Sequence, residues 1–389
     1  MTGVRRTWKS TDNSCRIAIR RWVSVVGARP QFVKLAPVCR AIESHNHTVG
    51  SPLIEHFIIN TGQHYDREVA ELLFVQMGIP EPRYNLAVGS GSHGTQLARM
   101  LARMEPVLTA NHIDWLIVYG DTNSTIAGAL LASRLRLPVA HVEAGCRSWD
   151  MNMPEEQNRI ASDHLSQLLL APSETALQNL RREGIAVEDD PRKRCATVVG
   201  DVMYDALLQS LQVAEKRADA VLSEYGLESG GYYLLTIHRA ENTGNSEKLS
   251  EILEAAASLD LPVLFPVHPR TRSVISAAGI AVKGKLIAAP SLGYLEMLAV
   301  EKHARKILTD SGGVQKEAFY LGVPCVTLRD QTEWTETVAL GANRIAGTSR
   351  ESIRAAVLHQ DADGWNKATP YGDGRAAQRI VSELLARGV

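Results

Sequence analysis

The chain has 389 residues, 45% hydrophobic and 22% charged, with a formal net charge of −1. Such a composition belongs to a soluble globular protein long enough for two or three domains, and nothing in the charge balance favours nucleic acid or an acidic membrane as partner. The five cysteines (Cys15, Cys39, Cys146, Cys195, Cys325) are odd in number and form no CxxC pair. This argues against a disulfide framework or a zinc site and suits a reducing cytoplasm, and no apolar run approaches the ~20 residues of a membrane span.

The first 21 residues hold Arg5, Arg6, Lys9, Arg16, Arg20 and Arg21. No apolar segment follows to make a secretory signal, so residues 1–21 read as a basic, disordered extension. Ordered structure is expected from Trp22. Trp22 to Val26 reads as a strand broken by Gly27-Ala28-Arg29-Pro30, and Gln31 to Glu43 as a helix with Phe32, Leu35, Val38 and Ile42 at helical spacing. The turn is not GxGxxG, so a dinucleotide site is poorly supported. Arg29 and Lys34 stand at the loop and first helical turn, either as solvated charges or as anion contacts. Ile54 to Asn60 reads as a second strand, followed by Thr61-Gly62-Gln63-His64, where Gln63 and His64 either touch a ligand or bond the loop. Residues 78–94, rich in Gly, Pro and Ser, read as a loop before a helix from Thr95 to Leu108.

From Val118 to Arg159 the chemistry is densest. Trp115 to Tyr119 ends in Gly-Asp-Thr, Pro138 to Val142 ends in Glu-Ala-Gly, and Pro154 opens a helix. Asp121, Glu143 and Glu155 therefore lie at strand ends or a helix start, where open parallel sheets bind ligands. Glu155 reads either as an acidic helix start or as a catalytic group, and Glu156 and Arg159 have the spacing of a helical pair. Leu168 to Ala171 and Ala196 to Val199 complete a first array of strands, with a helix capped by Ser173 between them.

The alternation restarts after residue 200. Strands are expected at Tyr232 to Ile237, Val263 to Val267, Leu286 to Ala288, Arg305 to Leu308 and Val323 to Leu328. Helices are expected at Leu249 to Ala257, Tyr294 to Val300, Val314 onward, Thr332 to Leu340 and Arg375 to Arg387. The fold class is α/β, with two doubly wound Rossmann-like domains facing a cleft. Residues 22–200 form one domain, 201–368 the other, and 369–389 a helix returning to the first. His238 and His268 end strands of the second domain, each with an arginine within two residues. They suit a phosphate or acid site, although single histidines are more often structural. Asp310-Ser311-Gly312-Gly313 places small residues at a helix N-terminus, either as a diphosphate cradle or as a plain turn. Glu317, one turn on, either accepts from sugar hydroxyls or is an exposed helix glutamate. The three carboxylates suit proton chemistry; a divalent metal is the other use of such a set, less needed beside cationic phosphate contacts.

These residues taken in order resemble the UDP-N-acetylglucosamine 2-epimerase family. The matching segments are Gly27-Ala28-Arg29-Pro30 with Lys34, Thr61-Gly62-Gln63-His64, Gly120-Asp121-Thr122 and His141-Val142-Glu143-Ala144-Gly145. They continue through Pro154-Glu155-Glu156, His238-Arg239 with Glu241-Asn242, His268-Pro269, and Thr309-Asp310-Ser311-Gly312-Gly313 with Gln315 and Glu317. The resemblance implies a GT-B fold, a cytoplasmic homodimer serving polysaccharide synthesis, and interconversion of UDP-GlcNAc and UDP-ManNAc through 2-acetamidoglucal, with no cofactor, no metal, no nucleic acid and no membrane partner. It implies Asp121, Glu143, Glu155 and His238 as catalytic groups. Arg29, Lys34, His268, Ser311, Gly312, Gly313 and Glu317 would bind the UDP-sugar, and Gln63 and His64 an activator. Trp334 departs from the pattern, standing where many bacterial members have arginine. A hydrolysing epimerase, a GT-B glycosyltransferase and a catalytically idle UDP-binding module are the rival readings.

Overall fold

The computed structural model describes residues 19–48, 53–63, 73–187, 190, 193–281, 283–361 and 364–387. The first domain runs β1 (Ile19–Val26), α1 (Arg29–Asn46), β2 (Leu53–Asn60), β3 (Tyr84–Asn85), α2 (His93–Thr109), β4 (Trp115–Tyr119), α3 (Asn123–Arg134), β5 (Val139–Val142), α4 (Pro154–Leu165), β6 (Leu168–Ala171), α5 (Glu174–Arg182) and β7 (Cys195–Val198). Its seven strands are ordered β3-β2-β1-β4-β5-β6-β7, and every pairing is parallel. The order reverses direction at β1/β4, so the loops after β1 and β4 diverge there and leave a crevice at the strands' carboxyl ends.

The second domain runs α6 (Val202–Glu224), β8 (Tyr233–Thr236), α7 (Ala240–Thr243), α8 (Ser246–Ala257), β9 (Val263–Pro266), α9 (Pro269–Ala277), β10 (Leu286–Ala289), α10 (Tyr294–His303), β11 (Lys306–Thr309), α11 (Gly312–Leu321), β12 (Cys325–Thr327), α12 (Thr335–Ala339), β13 (Asn343–Ile345) and α13 (Arg350–Leu358). Its six strands are ordered β10-β9-β8-β11-β12-β13, again all parallel, with the reversal at β8/β11. The central strands are buried along their whole length, as in Trp115–Tyr119 and Lys306–Thr309. Helices on both faces of a parallel sheet explain why these strands are nearly continuous apolar runs. Truncating a fully buried residue such as Leu308 to alanine would cost roughly 2–5 kcal/mol.

Two features tie the domains together. The last helix, α14 (Ala376–Ala386), returns to the first domain, burying Ile380, Val381 and Leu384, and the Trp115 indole N–H donates to Leu384 O at 3.1 Å. The Asp205 carboxylate of α6 caps that helix, accepting from Ala376 N at 3.1 Å and Ala377 N at 2.8 Å.

The first strand reaches further towards the N-terminus than expected. Ile19, Arg20 and Arg21 belong to β1, because Leu53, Ile54 and Glu55 pair with them and the Arg21 guanidinium meets the Glu55 carboxylate at 2.8 Å. A charged end of a strand is stable where such a partner exists. Residues 1–18, the rest of the expected extension, lie outside the described residues. Helix α1 begins at Arg29, with Pro30 in its first turn. The expected loop 78–94 contains the short strand β3.

Candidate active site

The first wall is built from the ends of β4 and β5 and the start of α4. Gln31 sets the β1–α1 turn: its Oε1 accepts from Gly27 N at 2.9 Å, and its Nε2 donates to Tyr119 O at 3.0 Å. Gly27 admits no side chain, since a Cβ there would stand 1.9 Å from Thr61 Oγ1. Beneath the wall, fully buried His141 bridges Asp163, at 2.7 Å through Nδ1, and Gly120 O, at 2.7 Å through Nε2. Asp163 also pairs with Arg147 at 2.8 Å and accepts from Gly145 N at 3.1 Å. One buried carboxylate thus fixes the loops carrying both Asp121 and Glu143. Burial opposes the charge on Asp163, but His141 and Arg147 outweigh it and hold its pKa below the usual value.

On this scaffold Asp121 keeps 24% of its side chain exposed and accepts from Arg159 Nη2 at 2.6 Å. Arg159 also pairs with Glu156 at 2.7 Å, the expected helical pair. Glu155 is 39% exposed and faces Arg239 of the second domain at 3.5 Å. Glu143 has the left-handed φ of 70° and is buried. Its two oxygens accept from Lys34 Nζ at 2.7 Å and Lys316 Nζ at 2.9 Å. Burial opposes the charge, yet Lys316 and Lys34 hold the Glu143 pKa well below the carboxylate range.

The second wall is organised by Asp310, which is fully buried at the end of β11 and accepts from His238 N, Arg239 N and Asn242 Nδ2 at 3.0–3.1 Å. These bonds aim the loop after β8 at the cleft. The His238 ring is 45% exposed there, with Nδ1 3.6 Å from Asp310. The surrounding walls thin the water around it and lower its pKa, against an upward pull from Asp310 and a further downward push from Arg239 and Arg29. Ser311 caps α11 through Val314 N at 3.5 Å, and Gly312 lies against the loop 332–334. A Cβ on Gly312 would stand 2.6 Å from Glu333 Oε1 and 3.1 Å from Trp334 Nε1. Glu317 is buried; burial pushes its pKa up to about 7, with Arg29 and Lys316 pulling the other way. Exposed His268 follows β9 at its carboxyl end.

The structure supplies partners for several residues whose use the sequence left open. Glu317 is not an exposed helix glutamate. Lys34 is spent on Glu143 and is only 7% exposed. Gln63 is a loop-bonding residue here, its Oε1 accepting from Ser124 N at 3.1 Å and Ser124 Oγ at 2.8 Å, while His64 lies outside the described residues. Glu333 was missed. It gathers Arg329 at 3.0 Å and Arg159 and Arg239 at 3.8 Å, and these arginines outweigh burial to hold its pKa at about 2. The result is a chain of alternating charge, Asp121–Arg159–Glu333–Arg239–Glu155, running across the cleft. Its sequence signal was the Thr332-Glu333-Trp334 segment, noted only for its tryptophan. That tryptophan stacks on a lysine, with Lys316 Nζ 4.0 Å from the ring centroid. Among the described residues no helix is long and apolar enough to cross a membrane.

Two doubly wound domains with a charged cleft between their carboxyl ends define a GT-B-type protein. The family model described as UDP-N-acetylglucosamine 2-epimerase matches residues 48–385. A UDP-N-acetylglucosamine 2-epimerase homolog of Methanococcus maripaludis is 46% identical over 366 residues, covering 93% of this chain and 98% of the relative. A UDP-2,3-diacetamido-2,3-dideoxy-D-glucuronate 2-epimerase of Pseudomonas aeruginosa is 43% identical over 371 residues, covering 94% and 99%. The crystal structure of Methanocaldococcus jannaschii UDP-GlcNAc 2-epimerase in complex with UDP-GlcNAc and UDP superposes with a TM-score of 0.85 at 42% identity, covering 94% of this chain and 99% of that one. The chain belongs to the UDP-N-acetylglucosamine 2-epimerase family.

Proposed function

We propose that the protein interconverts UDP-GlcNAc and UDP-ManNAc at C2 without a redox cofactor. A carboxylate takes the C2 proton as the C1–O bond breaks, the departing UDP keeps that electron pair, and 2-acetamidoglucal remains in the cleft. A proton then returns to C2 on the other face as UDP re-adds at C1. The observation that carries this reading is the facing of two partly exposed carboxylates, Asp121 and Glu155, against His238, Arg239 and the Ser311-Gly312-Gly313 helix start. The first pair suits proton transfer; the second set offers preorganised positive potential to a leaving diphosphate. His238 is assigned to the leaving diphosphate, Arg29 and His268 to UDP phosphates, and Glu317 to the ribose hydroxyls. A homodimer and a cytoplasmic setting belong to the same proposal, and sedimentation of the purified chain tests the first.

The Pseudomonas relative, named for a diacetamido-uronate substrate at 43% identity, supports a second reading in which that UDP-sugar is the preferred substrate. Offering both sugars separately and following the C2 configuration by NMR distinguishes them. Turnover of UDP-GlcNAc at a higher kcat/KM supports the first reading; preference for the uronate replaces it with the second.

A further inference from the structure

Lys316 belongs to none of the groups assigned so far. It lies one turn into α11, its side chain 1% exposed. Its ammonium meets Glu143 Oε2 at 2.9 Å, Asp201 Oδ2 at 2.7 Å and the Trp334 ring at 4.0 Å. Glu143 comes from the first domain; Lys316, Asp201 and Trp334 come from the second. Asp201 is itself fixed, capping α6 through Met203 N at 2.9 Å and accepting from the Tyr320 hydroxyl. The second domain therefore holds the lysine with a carboxylate and a ring of its own, and among the described residues Glu143 is the partner it reaches across the cleft.

The consequence falls on Glu143. Both of its oxygens are occupied by ammonium groups, Lys34 from α1 and Lys316 from α11. Of the other titratable groups whose charge couples to it, the Cys146 thiol and the Tyr320 hydroxyl are buried and driven well above their ordinary pKa, so both stay neutral. A proton can reach Glu143 only if one ammonium withdraws. Lys34 is anchored in the same domain as Glu143, whereas Lys316 belongs to the opposite one.

We propose that Lys316 is a positioning residue for the epimerisation, keeping Glu143 ionised whenever the two domains are together. Proton traffic at C2 then falls to Asp121 and Glu155, which keep 24% and 39% of their side chains exposed. Glu143 serves as the fixed anion that holds Lys34 in place. The catalytic meaning of the contact rests on the epimerase reading, while the contact itself is a 2.9 Å pair independent of it.

The test is the pH dependence of C2 deuterium exchange in Lys316→Met and Lys316→Arg, from about pH 4 to about pH 8. An ammonium within contact distance lowers a carboxyl pKa by about 1–3 units. Lys316→Met should therefore lose exchange on the acid side about 1–3 pH units earlier than wild type, as the Glu143 carboxyl is released towards its ordinary range; Lys316→Arg should keep the wild-type limb. A profile parallel to wild type at lower height would mean a structural role alone and overturn the proposal. Should Lys316→Met fail to fold, the 15N resonance of the Lys316 ammonium is compared in wild type and Glu143→Gln. A signal protected from solvent exchange that shifts in Glu143→Gln supports the contact; an unshifted or absent signal overturns it. This second reading needs no turnover, so a wild type unable to exchange C2 hydrogen would sink the epimerase proposal separately.

Discussion

Asp121 and Glu155 face the cleft with arginine partners that have other carboxylates to hold them. Arg159 keeps Glu156, and Arg239 keeps Glu333, when either acid is neutralised. Asp121→Asn and Glu155→Gln are therefore expected to lower C2 exchange by about 10²–10⁴-fold, while the thermal midpoint stays within a few degrees of wild type. Asp163 behaves differently. It is the buried anion for His141, Arg147 and Gly145 N; Asp163→Ala leaves buried His141 and Gly145 N without their acceptor and unlocks the loops carrying Asp121 and Glu143, while Arg147 keeps Glu183. The expected loss is about 3–5 kcal/mol, read from urea denaturation. Because the native pKa of Asp163 is depressed, its contribution is present above the unfolded carboxyl pKa and is lost only as pH falls through the native value. The wild-type minus Asp163→Ala stability gap should shrink towards acid and stay flat above about pH 5. Asp121 and Glu155 were legible in the sequence because a strand end or a helix start marks them. Glu333 was not, because its partners at positions 159, 239 and 329 come together only through the tertiary fold. Lys316 carries no local mark either, since a lysine inside a helix ordinarily faces water.

At the scale of elements, α11 concentrates the nucleotide-binding expectation. Gly312→Ala would drive a methyl group onto Glu333 and Trp334. Steady-state kinetics should show the KM for the nucleotide sugar raised at least about tenfold, with the circular dichroism spectrum unchanged. Glu317, on the same helix, has its pKa raised by burial from 4.5 to about 7. The native state then binds more protons than the unfolded chain between those values, so stability falls as pH rises through that window. Glu317→Gln removes the cost of ionising a buried acid. It should stabilise the protein by up to about 3 kcal/mol at pH 8 and by almost nothing near pH 4, as urea midpoints would show. The strands were readable because burial on both faces makes them apolar runs, Trp115–Tyr119 and Leu168–Ala171 being read to the residue. Helix α6 was not read. Its buried face has large apolar residues only near its ends, Met203 and Leu207, then Val221 and Leu222, with the small Ser210, Ala214 and Ala218 between them leaving a faint hydrophobic signal.

For the whole molecule, two successive βα arrays were enough to read a pair of doubly wound domains. How the walls meet was not readable, because it depends on pairs such as Lys316–Glu143, Arg239–Glu155 and Ser173–Glu336. These pairs differ in burial, so salt should separate them. Partly exposed Arg239–Glu155 is weakened at high ionic strength more than buried Lys316–Glu143. In the proposed reaction the cleft moves a proton at C2 while UDP departs and returns. Incubating the wild-type protein with UDP-GlcNAc in deuterium oxide, with C2 and the products followed by NMR, puts both halves of that reaction to the test. Deuterium at C2 together with UDP-ManNAc, and no accumulation of free sugar, is the predicted result. An unlabelled C2, or free ManNAc released with an equal amount of UDP, would contradict it.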